Sequence, residues 1–409
     1  MSDSARYDLI IVGGGMVGVS LALALARRGL RMALVEAHVP GADSQPSYDD
    51  RAIALAYGTR RIFEAIDVWP SLQPRVEAIT DIHVSDRGHF GFTRLHAADE
   101  GVPALGYVVT ARELGRVLLD QLQRDASLDI VAPARVLNFV DQGDSVEVEI
   151  ERDGVVTTLA CSLLVAADGG DSMIRESLDI PVQRWQYGQS AIVANITPSH
   201  AHNNVAYERF TDTGPVALLP MSEGRCALVW TVRDDMVDDV MALDDTAFLR
   251  RFQDRFGHRL GRFKRVGKRA SYALSLLRAR QFVRGRVAII GNAAHTLHPI
   301  AGQGFNLGIR DVAALAEVID TGFARGDDIG STEALAAYVK WRTAEQRNVA
   351  LATDALARLF SNPLGPLRVG RNLGLLAMEF VPGAKHSLAR AAMGMAGRQP
   401  RLARGKALG

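Results

Sequence analysis

The sequence predicts an α/β protein with a Rossmann-like nucleotide-binding domain, a second domain built on an antiparallel β-sheet, and a helical C-terminal region. Three observations support this fold class. Glycine turns follow apolar strands at sites nearly three hundred residues apart, short β-type runs lie between them, and the closing third shows helical spacing of apolar residues. The 409 residues exceed what one hydrophobic core usually supports, so at least two domains are expected.

The N-terminal motif has the order strand, glycine turn, helix, strand. An apolar strand over residues 7–12 leads through residues 13–18 into a helix that ends near Arg28. The chain returns in a second strand over residues 31–35. This order is typical of a dinucleotide-binding fold, and the motif alone leaves FAD and NAD as alternatives.

Each glycine of this motif has a distinct predicted role. Gly13 permits the tight turn, Gly15 admits the pyrophosphate, and Gly18 lets the helix pack on the strand. Glu36 follows Gly15 by 21 residues, where a carboxylate accepts hydrogen bonds from the adenosine ribose.

Residues 9–26 carry no charge, so a signal peptide or a membrane span has to be considered. Two aspartates and one arginine precede the run, and three consecutive glycines interrupt it. Neither feature fits a targeting or spanning segment. We interpret the run as a buried strand, a glycine turn and a buried helix.

A second glycine loop lies between a short strand over residues 286–290 and a helix over residues 305–319. Gly302 and Gly304 lack a Cβ atom, so the backbone there can approach a flat ligand and adopt positive φ angles. The helix N-terminus supplies free N–H groups and a partial positive charge, which favour a bound negative charge.

Two residues shape the entry to this loop. Pro299 fixes the turn that leads into the loop and holds His298 in an extended conformation. We therefore predict that His298 and Pro299, with Gly302 and Gly304, contact the reacting part of the ligand.

A third motif completes a recognisable set. An apolar strand over residues 162–167 is followed by Asp168, Gly169 and, further on, Arg175. With the two glycine loops, this segment resembles the Asp-Gly motif of the aromatic-ring FAD monooxygenases, the p-hydroxybenzoate hydroxylase-like flavoproteins. The resemblance covers about residues 7–350. It implies that Asp168 and its neighbours lie beside the FAD pyrophosphate and help admit NAD(P)H without a separate nucleotide-binding domain.

Within that family, residues 48–55 and 291–299 look like the ubiquinone-biosynthesis hydroxylases, and residues 82–91 look like the 2-polyprenyl-6-methoxyphenol hydroxylase branch. Asn292 departs from the broader pattern, since an aspartate commonly holds the flavin ribityl chain there. An amide can still hydrogen-bond a hydroxyl, although without charge assistance.

The resemblance also implies that Arg51 and Arg112 lie along the FAD. The alternatives are that Arg51 is a solvated residue on a helix after Asp50 and that Arg112 is a helix surface charge. No metal site is expected. The predicted cofactor-binding residues are Gly13, Gly15, Gly18, Glu36, Arg51, Arg112, Asp168, Gly169, Arg175, Gly291, Asn292, Gly302, Gln303, Gly304 and Asn306.

The motifs come from separated parts of the chain, so the FAD-binding domain is predicted to be discontinuous. It comprises residues 1–75, 105–180 and 283–350. Residues 76–104 and 181–282 are predicted to form the substrate domain, because short β-type runs there are broken by Gly, Pro and Asn or Asp. Residues 351–409 are predicted to be a helical C-terminal region with a basic tail.

The implied reaction is hydroxylation of the aromatic ring of a polyprenylated methoxyphenol in ubiquinone biosynthesis. NAD(P)H reduces FAD, and O2 adds to the reduced flavin to give a hydroperoxide that attacks the ring. The protein must exclude water and accept or share the phenolic proton, for which the sequence identifies no residue. Alternatives are a sister hydroxylase acting at another ring carbon, a flavin-dependent prenyl reductase and a non-catalytic FAD-binding scaffold subunit.

The net charge and the cysteine content indicate which partners and which compartment the protein can have. A formal charge of +1 argues against a nucleic-acid footprint over the whole chain, and two apolar-flanked cysteines fit a reducing, cytoplasmic compartment. After Glu379 there are six Lys or Arg residues and no acidic residue. This tail predicts either peripheral contact with an anionic inner-membrane surface or a disordered solubilising segment. Assembly with other ubiquinone-pathway proteins is a further expectation from the resemblance.

Overall fold

The computed structural model describes residues 6–39, 41, 50–125, 127–296, 302–361 and 365–409. The strands in chain order are β1 (Arg6–Val12), β2 (Met32–Val35), β3 (Ala52–Ala56), β4 (Glu77–Ile79), β5 (Asp81–Asp86), β6 (Phe92–His96), β7 (Gly106–Thr110), β8 (Leu128–Val131), β9 (Arg135–Asp141), β10 (Val146–Arg152), β11 (Val155–Ala166), β12 (Val182–Pro198), β13 (Val205–Thr211), β14 (Gly214–Met221), β15 (Arg225–Arg233), β16 (Phe263–Val266), β17 (Ala270–Ala279), β18 (Val283–Arg284), β19 (Val287–Ile289) and β20 (His295–Thr296). The helices are α1 (Met16–Leu25), α2 (Tyr57–Ala65), α3 (Trp69–Leu72), α4 (Ala111–Gln123), α5 (Met173–Ser177), α6 (Val237–Met241), α7 (Asp245–Phe256), α8 (Gln303–Arg325), α9 (Thr332–Ser361), α10 (Gly365–Phe380) and α11 (Pro382–Ala392).

The first sheet has a parallel centre in the order β19-β11-β1-β2-β8, with β9 and β10 joining β11 as an antiparallel extension. Ile10 lies between Leu164 on β11 and Ala33 on β2. The central strands are almost wholly apolar because they are buried on both faces, and α1 packs against α4 and α8 in the same core. The α/β prediction is confirmed, and residues 9–26 form the end of β1, a glycine turn and α1.

Two local expectations differ from the structure. Helix α1 ends at Leu25 rather than near Arg28, because the chain turns at Arg27 and Gly29, both of which have positive φ. Arg51 precedes strand β3 rather than lying on a helix, so the helical part of that alternative was wrong, whereas the residue is exposed as the alternative expected.

The second sheet has the order β20-β17-β12-β15-β14-β13-β5-β6, with β16 beside β12. Its described pairings are antiparallel except for β13 with β5, which is parallel. Trp230 packs against Phe248 and Phe252 of α7, which covers one face of this sheet. The other face lies toward a three-stranded sheet of order β3-β7-β4, and Ala206 shares a small core with Val108 of β7.

Some strands pair across the limits predicted for the two domains. Strand β4 pairs with β7, and β20 joins the second sheet although its residues fall within 283–350. Helix α9 runs across residue 350, so no structural division falls there. The domain assignment itself remains a prediction.

The C-terminal region is held on the body of the protein. Arg371 and Asn372 of α10 bind the buried carboxylate of Asp86 at the end of β5, at 2.9 and 2.8 Å. Leu402 and Ala403 are buried against α2, so the last residues pack on the fold rather than forming a disordered tail. Among the described helices, none is long and apolar enough to cross a membrane.

Candidate active site

Residues from all three motifs line one cavity of about 720 Å³, which we call the motif cavity. Its walls come from the β1–α1 turn, the end of β2, the turn after β11 and the start of α8. The predicted cofactor residues that line it are Gly13, Gly15, Glu36, Arg51, Asp168, Gly169, Gly291, Asn292 and Gly304.

The first glycine turn needs glycine for two different reasons. Gly13 has a φ of +108°, and a Cβ atom there would lie 2.5 Å from the Ala167 carbonyl oxygen. Gly15 has an ordinary φ of −70° at the N-cap of α1, so its missing side chain provides space in the cavity rather than backbone freedom. Gly18 lies outside the cavity, where a Cβ atom would meet the Gly13 carbonyl oxygen, and it lets α1 pack on the turn.

Glu36 and Asp168 bring carboxylates to the cavity from the ends of β2 and β11, the two strands on either side of β1. Glu36 accepts hydrogen bonds from the amides of Gly14 and His38, at 2.5 and 2.7 Å, which fix its orientation. Asp168 has one oxygen, Oδ1, that is buried without a hydrogen-bond partner among the described residues. Burial raises the pKa of Asp168, although neighbouring hydrogen bonds oppose that effect. A buried acceptor without a partner suits a ligand that donates hydrogen bonds there.

Arg175 does not line the motif cavity. Its side chain is 1% exposed and donates hydrogen bonds to the carbonyl oxygens of Gly170 and Ala293, at 2.8 and 3.0 Å. These contacts connect the Asp-Gly motif to the second glycine loop. We therefore propose a positioning role for Arg175 instead of direct cofactor contact.

The start of α8 has two glycines in different environments, Gly302 with a positive φ and Gly304 with an ordinary helical backbone. Gly302 caps the helix with a φ of +60°, and a Cβ atom there would lie 2.9 Å from the Ala54 Cβ. Gly304 is helical, and a Cβ atom there would have no neighbour within 4 Å among the described residues. Positive φ is therefore needed at Gly302 but not at Gly304, whose missing side chain leaves the cavity open.

Asn306 and Gln303 lie in the first turns of α8 outside the cavity lining. The Asn306 amide donates to Ala54 and Gly302 carbonyls and accepts from the Ala56 amide and Thr59 hydroxyl, all between 2.7 and 2.8 Å. This hydrogen bonding joins β3 to α8. The Gln303 amide lies 3.4 Å from the Ala392 carbonyl oxygen. His298 and Pro299 lie outside the described residues.

A buried ionic network behind the second loop was not predicted. Asp311 of α8 accepts hydrogen bonds from the Gly291 amide and Arg342, and it pairs with His295 at 2.7 Å. Burial alone would raise the pKa of Asp311, but Arg342 and His295 lower it to about 2. The sequence feature that could have indicated this network is Asp311, an acidic residue on a helix face that is otherwise apolar.

A second cavity of about 1040 Å³ lies between the second sheet and the three-stranded sheet, and we call it the intersheet cavity. Apolar residues such as Val108, Val193 and Val229 line its interior. Arg112, on α4, lines this cavity rather than the motif cavity and pairs with Asp50 at 3.0 Å. The charged residues of the lining are Asp50, Arg51, Arg75, Glu77, Arg112, Glu113, Arg225 and Lys268.

The two cavities meet at three residues. Arg51, Ala52 and Thr296 line both of them. The Arg51 guanidinium lies 4.9 Å from the centre of the Tyr272 ring, in cation–π geometry. Sequence reasoning singled out neither Thr296 nor Tyr272, because their nearness to Arg51 depends on the packing of separate sheets.

The motif cavity fits FAD. Its glycine turn at a helix N-terminus suits a pyrophosphate, its strand-end carboxylate suits a ribose, and Asp168 provides an unsatisfied acceptor. When bound, FAD supplies the redox chemistry and the activation of O2. The chain therefore has the fold and the cavity of a FAD-binding protein.

Comparisons with known proteins agree with FAD binding and identify the kind of enzyme. Residues 6–350 match the FAD binding domain family. The chain is 39% identical over 401 residues to ubiquinone hydroxylase UbiL of Rhodospirillum rubrum, covering 97% of this chain and 92% of the relative. It is 31% identical to 3-demethoxyubiquinol 3-hydroxylase of Escherichia coli, covering 95% and 98%. The p-nitrophenol 4-monooxygenase PnpA of Pseudomonas putida has the same fold, with a TM-score of 0.80, 18% identity and coverage of 97% and 100%.

The protein belongs to the family of FAD-dependent hydroxylases of ubiquinone biosynthesis. It is an enzyme, an aromatic-ring monooxygenase with FAD as its cofactor, and NAD(P)H is the co-substrate typical of this family.

Proposed function

We propose that the enzyme hydroxylates the ring of a polyprenylated methoxyphenol, with the ring bound in the intersheet cavity. The observation that carries this proposal is the shared border of the two cavities at Arg51, Ala52 and Thr296. A ring in the intersheet cavity would lie next to a flavin whose other parts occupy the motif cavity. The chain's similarity to relatives named as ubiquinone-pathway hydroxylases supports the substrate class.

The cavity's size and lining suit this substrate. A volume of about 1040 Å³ is at the upper end of ordinary ligand pockets, so it can hold a substituted ring and part of an isoprenoid tail. Valines and alanines of β12 and β15 exclude water from the ring, as oxygen transfer requires. The cations at the rim, including Arg75 and Lys268, suit the phosphates of an approaching NAD(P)H.

We also propose peripheral membrane contact, through α10 rather than through the basic tail. Phe380 is 75% exposed, and Val369, Leu373 and Val381 are each at least half exposed. The spacing of Val369, Leu373 and Phe380 places them along one side of the helix, and Val381 directly follows its last residue. Arg371, Asn372 and Leu375 face the protein. An exposed apolar stripe of this kind suits the lipid that holds a polyprenyl chain.

The hydroxylase proposal is tested with a short-tailed prenyl methoxyphenol, FAD, NAD(P)H and isotopically labelled O2, with the product analysed by mass spectrometry. One labelled oxygen in the product is expected, and fragmentation then identifies the ring carbon. NAD(P)H oxidation with a saturated prenyl chain and no labelled oxygen would instead indicate a prenyl reductase. Bound FAD without substrate-stimulated NAD(P)H oxidation would indicate a scaffold subunit.

A further inference from the structure

Tyr272 of β17 points into the intersheet cavity. Ala270, Tyr272 and Leu274 all line that cavity, and they are alternate residues of one strand, so their side chains lie on the same face of the sheet. Ala191, directly opposite Tyr272 on β12, also lines the cavity. Tyr272 is the only aromatic residue among the described residues of the lining. Within that lining, it is therefore the one side chain that offers a bound ring an aromatic contact.

Tyr272 lies where the intersheet cavity meets the motif cavity. The Arg51 guanidinium lies over the Tyr272 ring, 4.9 Å from the ring centre, and Arg51 lines both cavities. Tyr272 lines the intersheet cavity but not the motif cavity. Its ring is therefore on the intersheet side of Arg51, one side chain away from the cavity that fits FAD.

The ring of Tyr272 is not covered by its neighbours on the sheet. The residue is 38% exposed, although it points into the space between two sheets. Ala191, opposite it, and Ala270, two positions before it on β17, have side chains that end at Cβ and leave space beside the ring. Arg51 packs over the ring, and the remaining exposed surface is open to a ligand in the cavity.

An aromatic contact supplies an orientation that the other apolar residues of this cavity do not. Val108, Val193 and Val229 are aliphatic, and burial against such side chains is non-directional, so they enclose a ring without fixing its tilt. Two aromatic rings instead prefer offset-stacked or edge-to-face arrangements. Oxygen transfer depends on close and aligned reacting atoms, so the ring has to be oriented where the two cavities meet.

We propose that Tyr272 positions the aromatic ring of the substrate through direct contact between the two rings, an assignment that rests on the hydroxylase function proposed above. Arg51 restrains the orientation of the Tyr272 ring before the substrate binds. The contact favours an aromatic ring over a saturated ring of the same size, so Tyr272 is a determinant of substrate specificity. The hydroxyl group of Tyr272 is not required for this contact.

The test measures binding of a short-tailed prenyl methoxyphenol and of its ring-saturated analogue to the FAD-loaded enzyme without NAD(P)H, followed by flavin absorbance. Wild type should prefer the aromatic compound. Tyr272→Leu should reduce that preference by about 2- to 10-fold, the usual contribution of an aromatic pair beyond its buried area, and Tyr272→Phe should keep it. The control is Phe90→Leu, which removes an exposed aromatic ring between β5 and β6 that lines neither cavity.

Turnover provides a second readout. A ring that is held less firmly accepts oxygen less often, so in Tyr272→Leu more of the electrons from NAD(P)H should reduce O2 to hydrogen peroxide. Labelled product per NAD(P)H should fall in Tyr272→Leu and stay at the wild-type level in Tyr272→Phe and Phe90→Leu. The FAD content of purified Tyr272→Leu should equal that of the control, because Tyr272 does not line the motif cavity.

Three results would overturn the proposal. An aromatic preference in Tyr272→Leu equal to that of Phe90→Leu would show that the Tyr272 ring does not contact the substrate ring. An equal loss of preference in Tyr272→Phe and Tyr272→Leu would assign the effect to the hydroxyl group. Loss of FAD from Tyr272→Leu, but not from the control, would show that Tyr272 acts on the cofactor through Arg51.

The failure of this proposal can be told apart from failure of the hydroxylase function, because ring preference is measured without turnover. Labelled product from wild type together with an unchanged preference in Tyr272→Leu would overturn the role of Tyr272 alone. No labelled product from wild type, with a preference that depends on Tyr272, would overturn the hydroxylase function and leave the ring contact in place.

Discussion

The guanidinium of Arg175 donates a 3.0 Å hydrogen bond to the carbonyl oxygen of Ala293. Arg175 follows the Asp-Gly motif, and Ala293 belongs to the second glycine loop, so two walls of the motif cavity are joined by one buried side chain. The same guanidinium also holds the Gly170 carbonyl oxygen. The separation of Asp168 from Gly291 across the cavity therefore depends on Arg175.

Arg175→Met should weaken FAD binding by about 10- to 100-fold, because two buried carbonyl groups lose a charged donor worth about 1.5–3 kcal/mol. Arg175→Lys, which keeps the charge and one donor, should lose less. FAD affinity is measured by titrating the apoprotein and following flavin fluorescence. Arg152→Met at an exposed strand end is the control. FAD affinity of Arg175→Met equal to that of the control would contradict the positioning role.

Sequence patterns predicted the parts of the site that depend on local backbone geometry. Gly13 and Gly15 were predicted because a strand, turn and helix constrain their immediate neighbours, and the cavity lining places both at the predicted turn. Arg175 and Asn306 were predicted as cofactor contacts, and neither lines the motif cavity. Each belongs to a motif, but each donates a hydrogen bond to the carbonyl group of a distant segment, Ala293 for Arg175 and Ala54 for Asn306.

The same distinction holds for the fold. Short β-type runs were predicted within residues 181–282, and strands β13 and β15 lie there, because such runs are bounded by turn residues. The parallel pairing of β13 with β5 was not predicted, because the pairing of strands far apart in the chain produces no periodic pattern in the sequence.

Gly15→Val should give protein that purifies without flavin. The backbone at Gly15 suits any residue, so the substitution is not a test of strain, and a branched side chain there would fill space in the motif cavity. Overpacking costs about 1–3 kcal/mol, so FAD affinity should fall by about 10- to 100-fold or more. Visible absorbance gives the FAD-to-protein ratio, and Gly15→Ala should be intermediate. Fully yellow Gly15→Val protein would refute the assignment of the first motif.

Gly304→Leu should impair turnover while leaving the fold intact. A Cβ atom at this position meets none of the described residues within 4 Å, and Gly304 lines the motif cavity, so the leucine side chain should extend into that cavity. Leucine is also the better helix former by up to about 1 kcal/mol. Gly383→Leu, at an exposed helical position that also has open space, is the matched control. We expect unfolding temperatures at or above wild type for both variants, with a loss of labelled product in Gly304→Leu alone. Unchanged turnover in Gly304→Leu would count against placing the flavin beside this residue.

The double substitution Leu373→Ser and Phe380→Ser should abolish sedimentation of the protein with anionic lipid vesicles. Burial of each side chain in lipid contributes about 1.5–3 kcal/mol, so removal of both should lower partitioning by about 10²-fold or more. The control is Val155→Ser with Val156→Ser, which removes two exposed apolar side chains from β11. Because Arg371 and Asn372 fix α10 on the β5–β6 hairpin from its other side, the substitutions should leave turnover of a short-tailed soluble substrate unchanged. Vesicle binding equal to that of the control would show that lipid does not cover this stripe, and a change in oligomeric mass in the double variant would then assign it to protein contact.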